Sequence, residues 1–228
     1  MPQTPAPYSP EPGRPSSAPD FLLSRAHGSV RTQGAVRQFS DAFAAIDAIE
    51  AGEVDMVVGA LPFDQDCPAA LTVPATIVRE SGTLEPPPSY RDGPGSQLSA
   101  SVTSYDPSPQ EHLRRIEAAL GTIEASKLDK VVLARAVDVA FDPPVDPRLV
   151  AARLIDLSYT RDGFIADLTP AGRPGNFFVG SSPEVLVKRR GTQVTSRPMA
   201  GSAARIPHDR EADEAAAKAL YHSAKDLS

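Results

Sequence analysis

The chain has 228 residues, enough for one large domain or two small ones, and 41% of them are hydrophobic, which suffices for a globular core. A net charge of −6 argues against a nucleic-acid partner, which needs a basic face, and a single cysteine, Cys67, rules out an internal disulfide and favours a reducing compartment. No apolar run approaches the roughly 18 residues of a membrane span, and the N-terminus has neither the basic nor the apolar stretch of a secretory signal, so the cytoplasm is the expected location.

Taken in chain order, residues 1–20 carry seven of the 24 prolines and read as a disordered Pro/Ser-rich tail. An N-terminal α/β subregion follows over 21–80. Phe21-Leu22-Leu23 and Ser29-Val30 are candidate short strands. Ser40 is the expected N-cap of a helix from Asp41 to Ala51, with Phe43, Ile46 and Ile49 on one face. Met56–Ala60 and Leu71–Val78 read as strands. Residues 81–108, with Pro86-Pro87-Pro88 and Pro94, read as a loop or linker.

The remaining stretch, 109–228, opens with a helix from Pro109 to Ala125, whose Leu113, Ile116, Leu120 and Ile123 recur at helical spacing. A strand is expected from Lys130 to about Phe141. Val131, Leu133, Val137 and Val139 alternate with Val132, Ala134 and Ala136, so both faces are expected to be buried. Asp146 and Pro147 then announce a helix to Leu157. Strands are expected at Phe164–Leu168 and Asn176–Val179, and a hairpin at Val185–Lys188 and Gln193–Arg197 around Arg190-Gly191. A final helix runs from Arg210 to Ala224, its Asp209, Glu211, Asp213 and Glu214 reading as a solvated face. The fold class is α+β with many strands.

Two ionisable residues sit among apolar neighbours. Lys130 opens Lys130-Val131-Val132-Leu133-Ala134-Arg135, and Glu184 lies in the turn Gly180-Ser181-Ser182-Pro183-Glu184-Val185-Leu186. Burying a charge costs several kcal/mol unless it is paired, so a desolvated lysine and carboxylate make a candidate base and acid. A lysine with a free pKa of ~10.4 needs a shift of about three units, some ~4 kcal/mol, to act as a base near neutrality. The alternative for each is structural: a snorkelling strand-edge lysine and an exposed turn carboxylate. The loop Ala200-Gly201-Ser202 has small residues that let a substrate carboxylate approach backbone N–H groups. The four histidines show no metal-ligand spacing, and no P-loop, G-x-G-x-x-G or G-x-S-x-G occurs.

Four segments in order resemble the chorismate-utilising enzymes, and within them the isochorismate synthases. They are Lys130–Arg135, Phe178–Leu186, Thr195–Arg205, and Asp213 through Lys225-Asp226; Val57–Asp64 is similar to the same branch. The resemblance covers residues 21–228 and implies a large multi-stranded sheet-and-helix fold, of which this chain would hold the N-terminal part. It implies an isomerase that moves the hydroxyl of chorismate from C4 to C2 with Mg²⁺, in siderophore or menaquinone biosynthesis. Lys130 would activate water for attack on C2, Glu184 would protonate the departing C4 hydroxyl, and Ala200, Gly201 and Ser202 would hold substrate. A lysine at position 130, where ammonia-using relatives have glutamine, favours water as nucleophile. Salicylate synthases keep the lysine and are the nearest rival; a non-catalytic or split-enzyme fragment is the other alternative. The resemblance further implies that the magnesium carboxylate falls just past Ser228. A separately encoded C-terminal half would then be the partner, and the 228 residues alone would be inactive and poorly stable.

Overall fold

The computed structural model describes residues 20–86, 98–199 and 201–223. It divides into two compact units, one ending at Ser181 and one starting at Ser182. The Pro/Ser-rich tail up to position 19, the prolines at 87, 88 and 94, and Ala224, Lys225 and Asp226 at the end of the last motif segment lie outside the described residues.

The first unit is built on a six-stranded sheet. Strands β1 (Phe21–Arg25) and β2 (Gly28–Phe39) form a hairpin, and β3 (Val58–Ala60) and β4 (Ala70–Glu80) extend it on the β2 side. β7 (Gly163–Asp167) and β8 (Phe177–Gly180) extend it on the β1 side, giving the order β3-β4-β2-β1-β7-β8 with every pair antiparallel. What reads in sequence as two short strands over 21–40 is therefore one long hairpin at the middle of the sheet.

Two helices cover this sheet. α1 (Ala42–Glu50) is capped by Asp41, which accepts from the Phe43 N–H, rather than by Ser40. Its buried residues are Ala45 and Ala48, set against Phe39; the expected face is turned outward, with Phe43 70% exposed. The small side chains let α1 sit close to the strands, so the bulky stripe is left on the outside. α3 (Pro147–Leu157) follows its sequence signals, with Asp146 accepting from the Arg148 N–H. It buries Ala151 and Ile155 against Leu22, Leu84 and Ile165. Each fully buried isoleucine contributes ~1.5–3 kcal/mol. At Gly163 a Cβ would stand 2.4 Å from Ile155, so glycine is what allows α3 onto β7 at this distance.

The rest of the first unit is less enclosed. β5 (Ala100–Asp106) and β6 (Ala136–Phe141) make a separate two-stranded antiparallel sheet, joined through α2 (Pro109–Ala125). α2 has the expected bounds, with Ser108 accepting from the Glu111 N–H, but none of its residues is buried. The second unit holds the expected hairpin, β9 (Val185–Arg190) and β10 (Gln193–Arg197), which turns at Gly191 with φ +58°. Its helix α4 (Arg210–Tyr221) is capped by Asp209.

Candidate active site

The strand expected from Lys130 is shorter than its apolar pattern suggests. β6 starts at Ala136, and residues 130–135 have no strand pairing. The reason is its neighbour: β6 pairs only with β5, whose last paired residue, Asp106, faces Ala136 and is followed by Pro107, which has no N–H to give. The expected burial of both faces is also not found. Lys130 is exposed and Val132 is 86% exposed, while Val131 and Leu133 face α2. No layer among the described residues covers the segment. The desolvated strand end that would single out Lys130 as a base is thus not formed by these residues.

Glu184 lies, as its sequence indicates, in the loop between β8 and β9, and it is exposed. Its N–H donates to Ser182 Oγ at 3.3 Å, which shapes the turn. Its Oε1 accepts a long hydrogen bond, 3.4 Å, from the Met199 N–H. That bond connects Glu184 to the start of the small-residue loop within the second unit. Gly201 and Ser202 are exposed and irregular, and Ala200 lies outside the described residues. Lys130 belongs to the first unit and Glu184 with the loop to the second.

The far end of the loop is fastened by a contact that a solvated-face reading of α4 misses. Arg205 Nε donates to both carboxylate oxygens of Asp213 at 3.0 Å, Nη2 lies 2.9 Å from Oδ2, and the Ile206 N–H donates to Oδ1 at 2.8 Å. The Arg205 hydrogen bond first, then that N–H, hold the Asp213 carboxyl below its ordinary value. Asp209 is likewise a cap, accepting from the Ala212 N–H at 3.0 Å. Only the order of Arg205, Asp209 and Asp213 around a helix start hints at this in sequence. The loop is therefore held at Met199 by Glu184 and at Arg205-Ile206 by Asp213.

Glu184 is thus tied to a small-residue loop within the second unit, and Lys130 lies in the segment between α2 and β6 of the first. Residues 64–228 match the family model described as chorismate binding enzyme, and the chain belongs to that family. It is 39% identical over 211 residues to MenF of Mycobacterium tuberculosis, a provisionally named isochorismate synthase; the match takes in 91% of this chain and 55% of that protein. It is 35% identical over 177 residues to the isochorismate synthase DhbC of Bacillus subtilis, 75% of this chain and 43% of that one. The fold is similar to that of MenF, the menaquinone-specific isochorismate synthase from Escherichia coli, with a TM-score of 0.70 and 23% identity over 97% of this chain and 59% of that one. The chain spans about half the length of the curated relatives it matches.

Among the described residues no group of three or more His, Cys, Asp or Glu comes together that could hold a metal ion. The described residues by themselves do not make up a magnesium site. No described helix is long and apolar enough to cross a membrane.

Proposed function

We propose that this chain supplies the acid–base half of an isochorismate synthase-type site, which adds water at C2 of chorismate and expels the C4 hydroxyl. Lys130 takes the proton from the attacking water. Glu184 gives a proton to the leaving hydroxyl, so that one water enters and one leaves and no redox partner is needed. The small-residue loop Ala200-Gly201-Ser202, in a stretch tied at Met199 and at Arg205-Ile206, offers backbone N–H groups to a substrate carboxylate. The observation that carries the reading is the family match over 64–228, which contains both Lys130 and Glu184 in their motifs.

The exposure of both residues supports a second element of the proposal. The site is completed by polypeptide equivalent to the part of the relatives that this chain does not span, and that polypeptide would also bring the Mg²⁺ ligands. The test is a chimera that joins the chain to the unmatched remainder of the Mycobacterium tuberculosis relative. It should convert chorismate to isochorismate, as read by chromatography. Lys130→Ala should lower turnover by roughly a thousandfold while chorismate still binds. Unchanged turnover would remove Lys130 from the mechanism. Release of salicylate and pyruvate instead of isochorismate would reassign the product.

A further inference from the structure

The hairpin of the second unit is not regular. Gln193, Val194 and Thr195 of β10 stand opposite Arg190, Arg189 and Lys188 of β9, but Arg197 stands opposite Val185. Leu186 and Val187 therefore face the single residue Ser196, which makes a β-bulge with its extra residue in β9. A side chain pins the bulge: Ser196 Oγ donates to the Leu186 carbonyl at 2.7 Å. An extra residue reverses the alternation of side chains beyond it. Lys188, Arg190, Gln193 and Thr195 share one face of the hairpin, where they line a common hollow. Alternation along β10 puts Arg197 on that face as well. In an unbroken ladder Arg197 would stand opposite Leu186, and Glu184 would be its diagonal neighbour on the same basic face. The bulge sets Val185 opposite Arg197 instead, and alternation then turns the next residue, Glu184, to the other face. Pro198 follows on β10 and has no N–H, so the first donor past the ladder is the Met199 N–H, which bonds Glu184 Oε1 at 3.4 Å.

We propose that the bulge pinned by Ser196 aims the Glu184 carboxylate at the small-residue loop and away from Arg197, which makes Ser196 a positioning residue for the proposed acid. The inference rests on the role given to Glu184 above and adds the device that orients it. A carboxylate beside a guanidinium is held in its charged form and has no proton to give. Turned to the loop, it meets a neutral backbone N–H at the edge of the stretch that would receive substrate. Ser196 itself touches no reacting atom. The ladder is disrupted at a bulge, and the Ser196 hydroxyl supplies a partner to a carbonyl there, so the irregular register is the one that is held.

The test follows the Met199 amide of the 228-residue chain by NMR as Glu184 gains its proton. The amide should shift with that protonation, and Glu184→Gln should remove the response. Ser196→Ala should abolish most of it, Ser196→Thr, which keeps the hydroxyl, should retain it, and deletion of Val187, which takes out the extra residue, should abolish it. The Ile206 amide, tied to Asp213, should keep its position throughout, which separates re-aiming of Glu184 from unfolding of the unit. A response absent from the wild-type chain, or one that survives both Ser196→Ala and the Val187 deletion, would overturn the proposal. So would loss of the Ile206 position in both variants, since Ser196 would then only hold the unit together. In the chimera, Ser196→Ala should lower kcat on the order of tenfold to a hundredfold with KM little changed, and should add nothing on top of Glu184→Gln. An equal fall in both backgrounds would overturn the positioning role. Full turnover with Glu184→Gln would overturn the acid reading alone, because the contact with Met199 is read without turnover.

Discussion

Gly59 shows how narrowly single positions are fixed in the first unit. It sits at φ +147°, opposite Leu71 in the β3–β4 ladder, and a Cβ there would stand 1.8 Å from the Ala70 carbonyl oxygen. Backbone cannot step aside as a flexible side chain can, so Gly59→Ala should displace β3 and cost at least ~2 kcal/mol in urea unfolding. Ser24 is fixed by different means. It is fully buried between β2 and β7, donates to the Arg161 carbonyl at 2.7 Å and accepts from the Leu84 N–H at 3.0 Å. In the second unit Asp213 ties the loop end to α4 through a charge. Its lowered pKa means that folding favours the ionised form. The tie is therefore intact above the ordinary aspartate value of ~3.9 and is lost as pH falls through the lowered one. A carboxyl-carbon titration should place Asp213 below that ordinary value, and Arg205→Ala should bring it back up. Titration at the ordinary value in the wild-type chain would show that the contact does not form in solution.

Elements with local signals are the ones the sequence makes legible. Ser108 before Pro109, and Asp146 before Pro147, fix the starts of α2 and α3 because cap and proline act within one turn. Asp146→Ala should cost ~1–2 kcal/mol by thermal unfolding. It removes the cap on the Arg148 N–H and also a carboxylate 3.6 Å from the buried Arg148 guanidinium. The β1–β2 hairpin is harder to read because its burial rests on partners far along the chain. Ser24 and Thr32 are buried polar residues in what local rules take for surface positions, and Ser24 is satisfied by Arg161 and Leu84. The run 130–135 misleads in the opposite sense: its alternation is that of a strand, but a strand needs a neighbour, and β5 ends too soon. The candidate site has the same character. Nothing local marks Lys130 or Glu184 beyond an ionisable group among apolar residues, and the resemblance is what assigns them roles. The Met199–Glu184 and Arg205–Asp213 contacts that hold the loop follow no spacing rule at all.

Across the whole chain, enclosure is unequal within each unit's own elements. The six-stranded sheet has α1 and α3 packed on it and three buried clusters at or beside them. The β5–β6 and β9–β10 pairs are two-stranded sheets with exposed apolar side chains, among them Val139 and Leu186, the latter 85% exposed. Isolated two-stranded sheets are marginal in water. Amide hydrogen exchange should divide the chain accordingly. The β1, β2, β4 and β7 amides should be protected to near the global stability, while α2, β5, β6, β9 and β10 exchange by local opening with little protection. Adding the unmatched remainder of a relative should raise protection first in α2 and β6, the two elements that flank the Lys130 segment. If the chain alone protected all ten strands equally, the two-stranded sheets would need no cover, and the completion proposed for the site would lose its support. The expected inequality places the proposed base in the least supported part of the first unit. A catalytic lysine must be held to within a fraction of an ångström of its target, so ordering that segment and switching on the chemistry would then be one event.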